Sequence, residues 1–359
     1  MSAQDTTAWI DLVSPSHPFF FNSLADELSD VERTTTVREK TETVDLAGQV
    51  GFDYSVLGRD FDNTLLRKLG IPLRTLQLAA RAPSADVSLS SRNAMCVLAS
   101  KVRGIPSIHF TDNDITAYVD GLHFEKLYNA LEAQATYNVV PSAFDTNELT
   151  RWGANEDQIL TYDGYKEDIY IAGFEPDPDF TNKLPFDDFI VVRPEALDAA
   201  YVDVEESIVP ELLERLFQAG FNVVYLPRGR GDEEYAESYG RGQIYTPQTA
   251  LNGLQLAWHC QCMLTGSGTM AREAACMEKP AVSFFPNKML SVDQELVEDG
   301  KIFYSRDPKS IVEYIESLTD KDALPDRSAS RAVRRVVVDM ITNITNEESA
   351  EVTNRVNSL

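Results

Sequence analysis

The residues that most constrain the fold are Leu264-Thr265-Gly266-Ser267-Gly268-Thr269-Met270-Ala271-Arg272-Glu273-Ala274-Ala275, followed by Lys279-Pro280-Ala281-Val282-Ser283-Phe284-Phe285. They read as strand, glycine-rich turn, helix, turn and buried strand, the βαβ order of an open α/β sheet. Glycines between a strand and a helix let backbone N–H groups approach an anion, and the helix N-terminus adds a partial positive charge. Thr269 and Glu273 lie four apart and share one helix face. With a phosphate at the turn, Glu273 is placed to accept hydrogen bonds from sugar hydroxyls, as in a nucleotide-sugar site. A second account fits as well. Glycines also serve tight turns, and an acidic residue early in a helix suits the helix dipole with no ligand present.

Gly266-x-Gly268-x-x-Ala271 also fits the dinucleotide fingerprint. That fingerprint needs an acidic residue at the end of the next strand, where this chain has Pro286-Asn287-Lys288. It also opens its fold, whereas here several βα units come first. NAD is disfavoured, and no cofactor is expected.

The alternation extends along the whole chain. Ala8–Val13, Thr34–Val37, Phe52–Leu57, Asp86–Leu89, Pro106–Phe110, Asn138–Val140 and Ile159–Tyr162 read as strands, with helices over Phe19–Leu28, Glu42–Val50 and Leu65–Arg81. A proline- and aspartate-rich stretch without periodicity, Phe174–Leu184, then interrupts the pattern. Strands resume at Phe189–Val192, Phe221–Tyr225 and Gly242–Tyr245, with a helix over Ile208–Gln218. The expectation is two Rossmann-like, doubly wound parallel-sheet domains facing across a cleft, an N-terminal one over 1–173 and a C-terminal one over 187–359. Residues 174–186 are the expected linker, and a helical tail runs from about 328.

With 57 acidic and 32 basic residues in 359, the net charge is −25. Such a surface repels nucleic acid and anionic lipid, and its diffuse acidity resembles that of proteins from salt-filled cells. Met1-Ser2-Ala3-Gln4-Asp5 has no basic start or apolar run, and no stretch reaches the ~20 apolar residues of a membrane span, so a cytoplasmic protein is expected. Peripheral membrane contact stays open, and the oligomeric state is not set by the sequence. Cys260-x-Cys262 beside His259 sits where a helix runs into a core strand, which favours packing over metal binding.

His17, in the Ser14-Pro15-Ser16-His17-Pro18 loop after the first strand, is the candidate general base on an acceptor hydroxyl. Its alternative is a loop histidine without a chemical task, as expected of His109, His123 and His259. Arg193, at a strand end, can clamp a phosphate, with Arg228 and Arg230 adding charge, or pair with Glu195. Asp112-Asn113-Asp114 has the D-x-D form of a metal motif, yet a helix cap explains it equally, and no metal is expected.

Several segments carry a resemblance: Trp9-Ile10-Asp11 with Pro15-x-His17 and Phe20-Phe21, Gly164-Tyr165-Lys166-Glu167, Val191–Glu195, Leu226-Pro227-Arg228, Gly253-Leu254, Gly266–Ala275 and Phe284-Phe285-Pro286. Together they resemble the GT-B superfamily of nucleotide-sugar glycosyltransferases and UDP-N-acetylglucosamine 2-epimerases. More closely, they resemble a family catalogued as domain of unknown function 354. The superfamily resemblance implies a nucleoside diphosphate on the C-terminal domain at Gly266-Ser267-Gly268-Thr269, with Glu273 on the ribose; Arg193, Glu195 and Arg228 complete the candidate nucleotide-sugar-binding residues. It also implies a glycosyltransferase taking a nucleotide-sugar donor and a sugar or lipid-linked acceptor. The alternatives are a nucleotide-sugar 2-epimerase or a non-catalytic binding protein. The epimerases carry His-Arg-Arg-Glu at the strand tip opening the second domain, where this chain has Arg193-Pro194-Glu195. The family's acidic-acidic-Thr-Glu-His run is here Thr111-Asp112-Asn113-Asp114-Ile115, without the histidine.

Overall fold

A computed structural model describes residues 6–28, 31–39, 41–59, 64–197, 206–229, 231–239, 242–319 and 324–357. Two compact units emerge, Met1–Tyr170 with Ala332–Leu359, and Ile171–Arg331. The first carries seven strands: β1 Thr6–Leu12, β2 Val31–Glu39, β3 Tyr54–Arg59, β4 Val87–Ser91, β5 Ser107–Phe110, β6 Tyr137–Pro141 and β7 Ile159–Tyr162. Their order is β3-β2-β1-β4-β5-β6-β7, and every pairing is parallel. The second carries six: β8 Ile190–Arg193, β9 Val223–Tyr225, β10 Ile244–Tyr245, β11 Cys262–Thr265, β12 Ala281–Ser283 and β13 Phe303–Tyr304. Their order is β10-β9-β8-β11-β12-β13, again all parallel.

Parallel strands need covered faces, and the sequence supplies short apolar runs accordingly. β4, β5 and β11 are buried at every position. In the second unit Ile190, Val192, Val223, Leu264 and Val282 pack against Leu212, Leu213 and Leu216 of the helix Val209–Gln218. In the first, Trp9 packs with Leu78 of the helix Thr64–Arg81 and with Met95, Cys96 and Ala99 of the helix Ala94–Arg103. All four cysteines are buried, and none is in a disulfide. Burial pushes the Cys260 thiol up to about 12 and holds Cys262 well above its ordinary value, so both behave as small apolar groups.

Two parts of the domain expectation change. The helix Ser328–Asn357 belongs from Ala332 onward to the first unit rather than to the C-terminal one. Val337, Ile341 and Ile344 are buried, Arg334 bonds Ser23 and Glu27, and the Tyr137 hydroxyl donates to Glu348 at 3.0 Å. Helical periodicity identifies the apolar stripe and says nothing of which sheet it covers. The expected 174–186 linker is also no free connector. Phe174 and Phe180 are buried, Phe180 stacks on His259 at 5.6 Å, and the Asp177 N–H donates to Gln255 at 2.9 Å. Prolines interrupt its periodicity, but its aromatics anchor it on the helix Gly253–His259.

Candidate functional site

In each sheet the chain winds outward in one direction, then returns to the centre and winds the other way. The reversal lies between β1 and β4 in the first unit and between β8 and β11 in the second. At such switch points the loops leaving the carboxyl ends of adjacent strands diverge and open a crevice, where ligands of open α/β sheets bind. The glycine-rich turn follows β11 directly, and Thr265 is in register with Arg193 on β8. The turn therefore stands at the second unit's switch point.

The two glycines serve packing first. A Cβ on Gly266 would lie 2.6 Å from Cα and Cγ of Glu195 and 2.8 Å from its backbone nitrogen. No side chain fits there, and the Gly266 N–H donates to the Arg193 carbonyl at 3.0 Å. A Cβ on Gly268 would meet the Arg272 guanidinium at 2.8 Å, and Arg272 is paired with Asp293 at 2.8 Å. The Ser267 N–H is also used, donating to Thr265 Oγ1 at 2.9 Å. What the turn offers a ligand is the helix start behind it. Ser267 occupies the N-cap position of the helix Gly268–Cys276 without a side-chain cap bond, whereas Asn93, Asn252 and Asp307 do cap their helices. Thr269 is exposed in that first turn, and Glu273 is half-buried one turn later.

Beside this turn is a pocket of about 330 Å³ lined by Arg193, Pro194, Glu195, Ser207, Arg228 and Tyr235. Arg193 Nη1 donates to the carbonyls of Leu226 at 3.2 Å and Pro227 at 3.0 Å. Among the described residues no carboxylate pairs with it. Burial holds its guanidinium below the ordinary value, repulsion from Arg228 adds to this, and Asp232 opposes it. Arg228 is fixed by Nε donation to the Pro194 carbonyl at 2.8 Å. Glu195 plays a different part from the one expected of it. Its carboxylate is buried and accepts from Ser207 Oγ at 2.6 Å, the Ile208 N–H at 3.3 Å and Arg306 Nη1 at 3.2 Å. Those bonds commit it to holding the pocket wall, so the alternative Arg193–Glu195 pair does not form. Arg306, absent from the sequence reading, follows β13 and also donates to the Phe284 carbonyl at 2.7 Å. Its only sequence signal is Asp307-Pro308, a helix start that places Arg306 at a strand tip. Arg230 lies outside the described residues.

At the first unit's switch point His17 is the first residue of the helix His17–Ala25 and only 2% exposed, not a loop histidine. Its Nδ1 accepts from the Val13 N–H at 3.3 Å, and its ring meets Phe21 edge-on at 6.0 Å. Burial drives its pKa well below the usual value, helped by Lys166 and then His109 and opposed by Asp112. A neutral ring whose Nδ1 accepts carries its proton on Nε2, so His17 is a hydrogen-bond donor here rather than a base. Around it, Lys166 Nζ stands 4.0 Å from Asp112 Oδ1. The rest of the D-x-D run is engaged by backbone N–H groups: Asn113 Oδ1 accepts from Ile115 in its own loop at 3.2 Å, and Asp114 Oδ2 from Asp145 in the loop after β6 at 3.0 Å. Among the described residues no three His, Cys, Asp or Glu side chains gather as a metal would require.

Beneath this edge runs a network the sequence reading did not anticipate. Asp11 on β1, fully buried, receives both terminal nitrogens of Arg74 at 2.8 Å, Thr36 Oγ1 at 2.6 Å and Asn93 Nδ2 at 2.7 Å. Arg74 in turn donates to the Leu57 carbonyl at 3.1 Å. One carboxylate thus ties β1, β2, β3 and two helices together. His109 is packed, as expected, with Nδ1 at 2.9 Å from Ser90 Oγ and Nε2 at 3.5 Å from Glu132.

The sequence as a whole decides the family, because residues 6–346 match the profile described as Protein of unknown function (DUF354). The chain belongs to this family. An uncharacterized protein of Methanocaldococcus jannaschii is 27% identical over 320 residues, covering 86% of this chain and 90% of that one. Among solved structures, the UDP-GlcNAc 2-epimerase of Neisseria meningitidis, bound to UDP-GlcNAc, is similar with a TM-score of 0.68 at 13% identity. That match covers 94% of this chain and 100% of the other. The glycotransferase of kitacinnamycin is similar with a TM-score of 0.62 at 11% identity, over 95% of this chain and 99% of the other. The fold of this DUF354 chain is therefore of the GT-B class. Among its described residues no helix is long and apolar enough to cross a membrane.

Proposed function

We propose that this DUF354 protein is a nucleotide-sugar-dependent glycosyltransferase whose donor diphosphate sits at the second unit's switch point. The observation that carries the reading is Arg193, a guanidinium held by main-chain carbonyls without a carboxylate partner among the described residues, beside a helix start its N-cap residue leaves uncapped. A diphosphate supplies what both lack: negative charge for the arginine and acceptors for the first-turn amides. Glu273 then accepts the ribose hydroxyls, Arg228 adds charge, and Glu195 with Arg306 keeps the wall in place. The similar epimerase structure with UDP-GlcNAc bound supports a nucleotide sugar as the ligand class. In the first unit, His17 holds an acceptor oxygen by donation from Nε2, and Asp112 beside Lys166 is the base in this reading.

Calorimetry with UDP and UDP-GlcNAc tests the donor site. Arg193→Met and Glu273→Ala should each weaken binding by about 1.5–3 kcal/mol, the worth of a hydrogen bond to a charged group. His17→Gln should leave UDP affinity unchanged. Wild-type affinity in both of the first two variants would move the site elsewhere. The second reading is 2-epimerisation, favoured by the epimerase fold match. Proton NMR of UDP-GlcNAc incubated without acceptor decides between them, since interconversion of two nucleotide sugars under those conditions rules out the transferase.

A further inference from the structure

The overall charge of −25 conceals a local reversal. Residues 64–111 contain seven Lys and Arg and one acidic residue, Asp86, where the chain's average would place about eight; Arg74 is neutralised by Asp11 and Arg92 by Glu125 and Glu132, which leaves the others, Arg81 and Lys101 among them, to charge the surface. Asp86 is tied back to the Thr7 N–H at 2.9 Å. This stretch builds the helices Thr64–Arg81 and Ala94–Arg103, which pack side by side on one face of the first sheet. Their outer surface is apolar where a soluble acidic protein would be polar. Leu73, Leu76 and Ala80 follow the helical spacing along one exposed row, with Leu73 49% and Leu76 68% exposed. Val102 on the neighbouring helix is 75% exposed, and Arg81 and Lys101 stand in the open beside these residues in sequence. Arg103 reaches across to the Ala82 carbonyl, which brings the ends of the two helices together.

Basic residues in a last helical turn are favoured by the dipole alone. The dipole explains neither the near-absence of acids over 48 residues nor the leucine row. We propose that this face docks the first unit on an anionic lipid surface, with Leu73, Leu76 and Val102 entering the headgroup boundary and Arg81 and Lys101 meeting the lipid charge. The remote acids do not prevent it, because screening confines repulsion to about 8–10 Å at physiological ionic strength. A second copy is the poorer occupant, since a two-fold contact would set two basic faces against each other. Nucleic acid is poorer still, since exposed leucines offer phosphates nothing. The inference is independent of the transferase reading.

Flotation of the full chain with vesicles tests it, using three parts phosphatidylcholine to one part phosphatidylglycerol against phosphatidylcholine alone. Wild type should float with the anionic vesicles and remain below with the neutral ones. Leu76→Glu and the pair Arg81→Glu/Lys101→Glu should each lower the bound fraction at fixed lipid at least tenfold. Leu324→Glu, which removes an equally exposed leucine (70%) from the second unit, should change nothing. Flotation is read at the lowest salt that keeps the circular dichroism native, because salt screens the anionic preference and the Arg81/Lys101 arm, whereas the apolar part read by Leu76→Glu is not screened. Wild type that fails to float, variants that float as wild type does, or a Leu324→Glu loss matching that of Leu76→Glu would each overturn the proposal. So would light scattering that finds a wild-type dimer split by Leu76→Glu, or a preference for anionic vesicles that is missing.

Discussion

Gly266→Ala separates the packing role of the turn from its binding role. The new methyl would stand 2.6 Å from two carbons of Glu195 and 2.8 Å from its backbone nitrogen, and main chain cannot swing aside as a side-chain tip can. Overpacking of this kind typically costs about 1–3 kcal/mol. Displacing Glu195 also loosens its bonds to Ser207, Ile208 and Arg306, and losing one of these adds about 1.5–3 kcal/mol. At the middle of these ranges the second unit loses about 2 kcal/mol if Glu195 keeps its partners and about 4 kcal/mol if one of those bonds is lost as well. Gly268→Ala is the internal comparison. Its methyl meets the tip of the paired Arg272 side chain rather than main chain, and alanine is the better helix former by about 1 kcal/mol, so the change should cost far less than Gly266→Ala. Native-state hydrogen exchange read by mass spectrometry reports this locally, without assuming that two units unfold as one. Peptides covering 189–197 and 262–276 should exchange about thirtyfold to a thousandfold faster in Gly266→Ala, and barely faster in Gly268→Ala. Unchanged exchange in Gly266→Ala, with only UDP binding weakened, would refute a packing role for this glycine.

Three further expectations follow from the first unit and from the charge. Asp11→Asn leaves Arg74 buried without its counter-charge and should cost about 3–5 kcal/mol by urea unfolding, part of it recovered in Asp11→Asn/Arg74→Met; an additive double variant would refute the coupling. His17 has a folded pKa below its unfolded one, so its contribution is complete above the unfolded value near 6.5 and declines as pH falls toward the folded one. Stability of wild type should therefore drop with a slope of up to about 1.4 kcal/mol per pH unit more than His17→Gln between pH 6.5 and 5, and parallel curves would contradict it. Melting temperature should rise between low and molar potassium chloride, where the Debye length shortens from about 30 Å at 0.01 M to about 3 Å at 1 M, and a flat response would refute self-repulsion among the surface acids.

Much of the fold was legible because buried parallel strands announce themselves as short apolar runs bounded by turns. Ile159–Tyr162 is found as expected, and the helix end at His259 leads into β11 as the Cys260-x-Cys262 spacing implied. The site was legible in position and less so in role. Gly266 marks the switch point, but only the approach of Glu195 reveals that the missing Cβ makes room for protein. His17 was readable as a residue after the first strand. Its tautomer depends on Val13 lying four residues back in a turn, which spacing alone does not fix. Asp11 and Arg74 are 63 positions apart, and their pairing follows from sheet order, which no local pattern carries. Arg306 was hidden for the same reason.

The terminal helix has a consequence for how the chain is made. The second unit is an insertion within the first, so a ribosome releases all of Ile171–Arg331 before the segment carrying Val337, Ile341 and Ile344 has emerged. Until then the surface those residues cover stays bare, and the first sheet waits as an incomplete nascent species while the later-synthesised unit closes on its own contiguous residues. Truncation from the carboxyl end therefore acts on the amino-terminal unit, and of the two units the second, residues 171–331, is the one that is contiguous in the chain.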